Sequence, residues 1–403
     1  MNLGKHTFTK YDLRKLWLGI GLVVICVVFL LISLRIVYSQ DYADTDFFSF
    51  WLAGYSVLAG EDPYSTEWWT LGHHIFGAEW ISDATFLYPL PLAIFFIPLG
   101  LLSLEQAFVL WVFLSQWMIF LAAVLLLRRT NWPANKKYVL PILAGIFLFR
   151  PVILTLIHGQ LGALFLLILV LMLIFWEKQQ WLLGGLLLPL LALKPSFGLL
   201  IGAMLGVWLI VQNKWTALAG GLAASLGLCL LGWFYNPTWI SEFLAIGSGK
   251  LGKTFGYSPT VWGISGQLCT QNRECTMILG GILGGLCLIA FLYFIFKSPG
   301  NLSPALVMSL VIPIALLVTP YGWAYDQILL IIPILVVVIA MIAKGFPYII
   351  PAALFLVISL LALAFVLLAM KIEYDMWSAG VVFICLILVA GLLLDTQRLP
   401  EKR

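Results

Sequence analysis

Long apolar runs separated by short polar connections make up most of this chain. The first run covers residues 17–38, about 22 residues, which is enough to cross the roughly 30 Å hydrocarbon core of a membrane. It is too long for the apolar region of a signal peptide and no small-residue cleavage site follows it, so the pattern predicts a retained helix. Further crossings are predicted near residues 105–127, 138–157, 161–176, 181–194, 196–211, 216–235, 276–296, 302–319, 324–342, 346–370 and 376–394. The pattern therefore predicts an all-α polytopic membrane protein with about 12 transmembrane helices.

One apolar segment, residues 86–103, is predicted not to cross the membrane. It contains Pro89, Pro91 and Pro98, and proline interrupts a continuous helix. A crossing here would also place the basic cluster within residues 128–137 outside, whereas Lys and Arg concentrate on the cytoplasmic side. The segment is therefore predicted to be an interfacial or re-entrant helix on the outer face.

Charge predicts the orientation of the chain. Four Lys and Arg residues precede the first crossing, which places the N-terminus in the cytoplasm, and twelve crossings return the C-terminus to the same side. The connection at 39–104 is acidic and nearly free of basic residues, so it is predicted to be an external loop, as is the connection at 236–275. The interpretation is a multi-pass protein of the cell (plasma) membrane.

Composition excludes a large soluble domain. The 403 residues are 63% hydrophobic and 10% charged, with a mean hydropathy of +1.06, whereas a soluble domain carries roughly 25% charged residues. No basic patch with aromatic residues lies outside the membrane flanks, so nucleic acid is not a predicted partner. Residues 1–403 are therefore treated as one integral-membrane domain.

The stretch DYADTDFFSFWLAGYSVLAGEDPY, residues 41–64, places three aspartates beside the first crossing. Apolar residues from Asp46 onward recur at helical spacing, and Gly60 is a typical stop. This predicts a short amphipathic helix on the outer leaflet, capped by Asp44 or Thr45, with one face against lipid or neighbouring helices. The predicted face comprises Phe47, Phe50, Trp51, Gly54 and Leu58.

Asp46 has more than one interpretation from its position alone. In the first turn of a helix the dipole favours a carboxylate, so one interpretation is that Asp46 only stabilises the helix and has no catalytic role. The DTD spacing also resembles the metal-binding DxD of nucleotide-sugar transferases, but the chain has no α/β domain to hold a nucleotide. That interpretation is rejected, and Asp44 is kept as a candidate accessory acid.

Arg150 and Lys194 are ionisable residues next to prolines, at or near membrane depth. Such a residue costs on the order of 3 kcal/mol on insertion scales, which makes both functional candidates. The alternative is that each side chain snorkels to the interface. A lipid phosphate at the outer interface would supply the missing anion, bidentately for Arg and as a point charge for Lys.

Other polar residues lie near the predicted outer ends of crossings. Asp326 begins a crossing and is a second candidate accessory acid, whereas Tyr321 in the same TPYGWAYDQ stretch is also explained as an ordinary interfacial aromatic residue. Cys269 and Cys275 lie in the second external loop, where a disulfide is favoured over two free thiols, and no further ligands suggest zinc. The candidates for a substrate pocket are Tyr88, His158, Gln160, Tyr321 and Tyr325.

Taken together and in order, these motifs resemble glycosyltransferase family 87. The features are D-F-x-x-[YF]-x-x-A…L-x-G-x-x-P-Y, then [FL]-x-Y-P-x-P, G-Q, a lone K-P between apolar runs, and [ST]-P-x-x-W. The matching stretches are residues 46–64, 86–91, 159–160, 194–195 and 319–323. Members of this family are GT-C-fold mannosyltransferases that use a polyprenyl-phosphate-mannose donor.

The resemblance implies a reaction and a set of roles. A sugar, implied to be mannose, would move from a polyprenyl-phosphate donor to a lipid or glycan hydroxyl on the extracytoplasmic face, with inversion, as in glycolipid biosynthesis. The catalytic carboxylate maps to Asp46, acting as general base, and Lys194 with Arg150 would bind the donor phosphate. Because the leaving group is a lipid phosphate, neither a divalent metal nor another cofactor is expected.

A competing class is a flippase or transporter of an isoprenoid-linked or small organic substrate. Such a protein would have polar residues strung through the middle of the bundle. Here the polar groups gather at one predicted face of the membrane and the interiors are apolar, which favours an interfacial enzyme. A non-catalytic assembly subunit is a third alternative that the residues leave open.

Overall fold

The computed structural model describes six stretches of the chain, and their regular structure is helical. The described residues are 10–78, 86–129, 139–250, 258–297, 302–372 and 375–398. Nineteen α-helices lie in these stretches and no β-strand does. The all-α class predicted from the sequence is therefore confirmed.

The helices follow one another with short connections. In chain order the α-helices are α1 Lys10–Val37, α2 Asp46–Ala59, α3 Thr66–Ile75, α4 Leu90–Phe95, α5 Ile97–Gly100, α6 Leu104–Arg128, α7 Val139–Leu148, α8 Arg150–Ile157, α9 Gly162–Glu177, α10 Trp181–Leu187, α11 Pro195–Val211, α12 Trp215–Tyr235, α13 Trp239–Lys250, α14 Val261–Leu268, α15 Arg273–Lys297, α16 Pro304–Val318, α17 Ile331–Ala343, α18 Ile349–Ile372 and α19 Ala379–Arg398. The 3-10 helices are Tyr42–Asp44, Leu188–Leu193, Ala324–Leu330 and Asp375–Ser378.

Six helical segments among the described residues are long and apolar enough to cross a membrane. They are Gly19–Val37, Leu104–Arg128, Trp215–Tyr235, Arg273–Lys297, Ala324–Ala343 and Asp375–Leu393. Five shorter apolar helices accompany them. Large apolar side chains are exposed along α1, α12 and α15, as lipid-facing helices require. The chain is thus a multi-pass membrane protein, and about twelve crossings remains a prediction.

Two of the predicted crossings are interrupted helices. The run at 138–157 divides into α7 and α8 at Phe149, whose backbone is extended ahead of Pro151. The run at 181–194 begins as α10 and continues as a 3-10 helix that ends at Lys194. Interrupted helices leave backbone groups unsatisfied, and membrane proteins tolerate them only where protein or a water-filled cavity covers them.

The helix predicted to start near Asp46 is present as α2, and Gly60 ends it in the left-handed conformation, with φ of +76°. The prediction of one apolar face was wrong. Phe48 and Leu52, outside that face, are fully buried, whereas Leu58, within it, is exposed. The reason is that α4, α5 and α6 pack against α2 and enclose it.

The segment at 86–103 does not form a continuous spanning helix, as its prolines predict. It folds into the short helices α4 and α5, which lie against α2. The contact is close because glycine faces backbone on both sides: a Cβ on Gly54 would lie 2.5 Å from the Phe96 carbonyl oxygen, and one on Gly100 would lie 2.8 Å from the Tyr55 nitrogen. The segment therefore forms the support on which α2 rests.

The second predicted loop, 236–275, is largely helical. It contains α13 and α14, and α15 already begins at Arg273, so the predicted end of the loop was a few residues late. Cys269 and Cys275 form a disulfide with a Cα–Cα distance of 5.7 Å. The Trp262 indole N–H donates to the Val318 carbonyl at 2.8 Å, which holds α14 against the end of α16.

Candidate functional site

The Gly-Gln turn between α8 and α9 lies against the start of α2. The Phe47 N–H donates to the His158 carbonyl at 3.1 Å. Gly159 has φ of +61°, which glycine adopts without strain, and a Cβ there would lie 2.6 Å from side-chain atoms of both Phe47 and Phe108. Glycine is therefore required for the turn to approach α2, and the turn sets Gln160 near the end of the helix that carries Asp46.

Asp46 is a half-buried carboxylate in the first turn of α2. It makes no ion pair or hydrogen bond with any residue that the structure describes. Thr45 occupies the N-cap position without a side-chain cap bond, and its hydroxyl donates to the Tyr42 carbonyl instead. Asp44 is exposed and ends the preceding 3-10 helix, so its prediction as the cap of α2 was wrong.

Lys194 lies in the non-helical step between the 3-10 helix Leu188–Leu193 and α11. Its ammonium is 2.6 Å from Asp326 Oδ1 and 2.8 Å from Gln160 Oε1. The ring centroids of Tyr325 and Phe197 lie 4.8 and 5.4 Å from Nζ. These contacts enclose the side chain, so the cation predicted for a lipid phosphate already has an anionic partner in the chain.

Asp326 uses both of its carboxylate oxygens inside the protein. Oδ1 pairs with Lys194, and Oδ2 accepts the Trp323 N–H at 3.1 Å at the start of the 3-10 helix Ala324–Leu330. A second link joins the same two regions, because the Thr319 hydroxyl donates to the carbonyl of Ser196. The K-P and T-P-x-x-W motifs are thus bonded to each other although they lie far apart in the chain.

Aromatic side chains surround Asp46 on the side of Asp326. The hydroxyls of Tyr88, Tyr321 and Tyr325 are all within electrostatic range of the Asp46 carboxylate, and so is Asp326. Tyr88 and Tyr325 are half-buried and Tyr321 is exposed, so the group reaches the protein surface; Asp46 and these three tyrosines are called the cleft below. These residues therefore form a polar, aromatic-lined site next to an unpaired carboxylate.

Two of the predicted pocket residues, Tyr88 and His158, lie close to other residues of the site. The Tyr64 hydroxyl donates to the Tyr88 carbonyl at 2.8 Å, and the Tyr88 hydroxyl lies beside Gln160. Burial raises the pKa of the Tyr88 phenol well above its ordinary value, and the charge of Asp46 adds to the shift. The phenol therefore stays protonated and can donate a hydrogen bond. The His158 ring lies 5.9 Å from that of Tyr325.

Arg150 is bonded to a second group of polar side chains. Its guanidinium donates to the Ser378 hydroxyl at 3.2 Å, and that hydroxyl donates to Asp375 at 2.6 Å. The Gln327 amide donates to the Ser378 carbonyl, so this group supports the 3-10 helix Ala324–Leu330 from another side. Among the described residues, Arg150 makes no hydrogen bond or ion pair with Asp46, Lys194 or Asp326.

Asp375 and Ser378 were not predicted as site residues. Both lie at the start of the last predicted crossing, 376–394, as Asp326 lies at the start of its own crossing, so the signal was present. The pairing of Lys194 with Asp326 was not predicted either, because a separation of 132 residues leaves no local pattern. The Cys269–Cys275 disulfide lies at the C-terminal end of α14. Thr260, at the N-terminal end of α14, has its methyl group beside Gly322.

Comparison with known proteins identifies a family that matches this chain. The profile of glycosyltransferase family 87 matches residues 86–320. The match contains α4 to α16, with the Gly-Gln turn, Lys194 and Thr319, and it ends before Asp326 and starts after Asp46. Comparison with curated proteins gives no match. No group of three or more metal-binding side chains occurs in the described part of the chain.

Proposed function

The chain belongs to glycosyltransferase family 87 and is a membrane glycosyltransferase, and from this premise we propose that Asp46 is the general base of sugar transfer from a polyprenyl-phosphate donor. The acceptor is a lipid or glycan hydroxyl, and the proposed sugar is mannose. Family membership also favours an enzyme over a flippase or transporter.

The observation that supports this role is the carboxylate of Asp46, which has no partner among the residues that the structure describes. The other carboxylate at the site, Asp326, has both oxygens engaged by Lys194 and the Trp323 N–H. A general base needs an oxygen within hydrogen-bond reach of the proton it removes. Asp326 is 1% exposed, so only Asp46 of the two offers such an oxygen to a substrate. The tyrosines beside Asp46 are partly exposed, and their hydroxyl groups can form hydrogen bonds that orient a sugar.

The proposed reaction is a single displacement. An acceptor hydroxyl attacks the anomeric carbon while its proton passes to Asp46, and the bond between that carbon and the phosphate oxygen breaks. Attack opposite the departing polyprenyl phosphate inverts the anomeric carbon. The protonated Tyr88 phenol is suited to donate a hydrogen bond to the sugar during this step.

Lys194 and Arg150 remain our proposal for the cations that offset the charge of the leaving phosphate. Lys194 acts from within its pair with Asp326, and Arg150 has four further N–H donors beyond the one that Ser378 accepts, since a guanidinium carries about five. With two cations at hand, the proposed chemistry requires no divalent metal or other cofactor. Asp44 is exposed, and the accessory role predicted for it from the sequence is not part of this proposal.

Several wider features belong to the same proposal. The whole chain would be one GT-C-fold domain of about twelve crossings, with cytoplasmic termini in the plasma membrane and the external loops 39–104 and 236–275 on the side of the active site. The cluster of interrupted helices at the site supports this arrangement, because irregular backbone within a membrane lines a cavity. The donor chain would lie in the bilayer and its sugar in the cleft.

Transfer by purified protein tests the role of Asp46. Wild-type protein, Asp46→Asn and the matched control Asp44→Asn are incubated with polyprenyl-phosphate-[³H]mannose and a membrane lipid extract. We expect Asp46→Asn to lower turnover on the order of 10²- to 10⁴-fold, the range of general base catalysis. Asp44→Asn is expected to stay near the wild-type rate because its side chain is exposed and belongs to the preceding 3-10 helix.

The two variants also define what would contradict the proposal. Near-wild-type turnover by Asp46→Asn, with Asp44→Asn inactive, would move the base to Asp44. Loss of donor binding by Asp46→Asn, measured by titration, would show a binding residue rather than a base. No consumption of the donor by wild-type protein would reject the donor class itself.

A further inference from the structure

Three side chains from different parts of the chain meet inside the protein next to the cleft. Gln160, Lys194 and Asp326, called the buried triad below, are 1%, 3% and 1% exposed. Lys194 Nζ is the centre, with Asp326 Oδ1 at 2.6 Å and Gln160 Oε1 at 2.8 Å. A lysine ammonium has three N–H donors, and the structure shows two of them in use and two aromatic rings over the group.

Each member of the buried triad lies where a helix is interrupted. Gln160 follows Gly159, whose backbone is left-handed. Lys194 has φ of −119° and ψ of 88° between a 3-10 helix and α11. Asp326 caps the extended residue Trp323. The Lys194 ammonium, at one of these interruptions, therefore bonds to side chains at the other two.

The buried triad also connects to the start of α2. Gln160 belongs to the turn whose His158 carbonyl accepts the Phe47 N–H at 3.1 Å. Phe47 is the residue directly after Asp46, so movement of the turn moves the proposed base. Tyr325 and Tyr321 flank Trp323, whose N–H Asp326 accepts. The same three side chains thus set both sides of the cleft.

Deepening the proposed function on which it rests, we propose that Asp326 is a positioning residue that holds the buried triad together and takes no part in proton transfer. Its carboxylate balances Lys194 and fixes the Trp323–Tyr325 segment opposite Asp46. This replaces the accessory-acid role predicted from the sequence. With both oxygens bonded inside the protein and the side chain 1% exposed, Asp326 has no oxygen directed at a substrate.

This role is tested by whether a second substitution raises or lowers turnover. Lys194→Gln is compared with the double variant Lys194→Gln/Asp326→Asn, so that any effect of losing the lysine is common to both. In the single variant a buried carboxylate loses its cation, whereas in the double variant neutral amides replace both charges. A positioning role predicts that the second substitution raises turnover, by about tenfold for residues coupled in one network, and raises the denaturation midpoint.

A catalytic role for Asp326 predicts the opposite. Turnover of the double variant below that of Lys194→Gln would overturn the proposal, and so would a denaturation midpoint below that of the single variant. A third readout is the pH–rate profile, in which the double variant is expected to keep the limb that Asp46→Asn removes. A missing limb in the double variant would show proton transfer by Asp326.

Failure of the proposed function can be told apart from failure of this inference. If wild-type protein transfers no sugar from the polyprenyl-phosphate donor, the proposed function is wrong, and the denaturation midpoints of the two variants still decide whether the triad is a structural unit. If wild-type protein is active and the second substitution lowers turnover, only the positioning role is wrong.

Discussion

The start of α2 and the start of the 3-10 helix Ala324–Leu330 each present an aspartate in the first helical turn, and the two carboxylates are within electrostatic range of one another. Their surroundings differ. Asp326 is 1% exposed, pairs with Lys194 and accepts a backbone N–H. Asp46 is half-buried and has no such partner among the described residues.

This difference shows how two identical side chains acquire different roles. A helix start favours a carboxylate in both places, so position along a helix does not distinguish them. What distinguishes them is whether the protein supplies the partners. A carboxylate with partners contributes to the structure, and one without partners keeps its lone pairs for a proton from a substrate.

The largest effect expected from this comparison is on stability. Asp326→Ala leaves Lys194 buried without its anion, and removing one member of a buried ion pair costs about 3–5 kcal/mol. Asp46→Ala removes no ion pair or hydrogen bond with the described residues, only the favourable interaction of the carboxylate with the helix dipole, so its cost is expected within about 1 kcal/mol. Denaturation midpoints of the two variants in the same detergent measure the contrast.

A larger loss of stability in Asp46→Ala than in Asp326→Ala would contradict these roles. A large loss of stability in Asp46→Ala would show that the carboxylate has a structural partner and is less available for chemistry. Little loss in Asp326→Ala would show that Lys194 does not depend on it.

The fold could be predicted from the sequence where the pattern is local. Spacing alone predicted the bounds of α2 and α6 to within a residue or two, and the prolines of residues 86–103 predicted that this segment is not one long helix. The burial of Phe48 and Leu52 outside the predicted face of α2 could not be predicted, because it depends on other helices packing against α2. Helical spacing records which residues share a face, and it does not record how many faces are covered.

The site divides in the same way. Gln160, Lys194 and Asp326 were each candidates from the sequence, and the structure brings these three side chains into contact. Which cation meets which anion was not predictable, since Arg150 and Lys194 had the same local signature. The structure gives Lys194 a direct carboxylate and gives Arg150 a hydroxyl that bridges to Asp375.

A smaller effect is expected from changing the turn that supports Asp46. Gly159→Ala combines a left-handed backbone with two contacts of 2.6 Å. Gly60→Ala, at the other end of α2, has the left-handed backbone, with φ of +76°, but open space around the added methyl group. Gly60→Ala is expected to cost about 1 kcal/mol for backbone strain alone, and Gly159→Ala clearly more, with lower turnover because the start of α2 must shift.

The pair of glycine variants separates strain from position. If both lose stability equally and both keep full turnover, contact between the turn and Phe47 does not set the position of Asp46. If only Gly159→Ala loses turnover at a temperature where both variants are folded, the contact does. Denaturation midpoints and initial rates of transfer on the same samples provide both quantities.

The smallest expected effect is that of a chelator. If Asp46 and Asp326 held a divalent cation between them, EDTA would abolish transfer and the contrast between the two carboxylates would disappear, because both would be metal ligands. Hard cations need several oxygen ligands, but the oxygens of Asp326 are taken by Lys194 and the Trp323 N–H. Transfer after EDTA treatment and desalting is therefore expected to equal the untreated rate. Loss of transfer, restored by added Mg²⁺ or Mn²⁺, would instead require Asp326 to leave Lys194 when the donor binds.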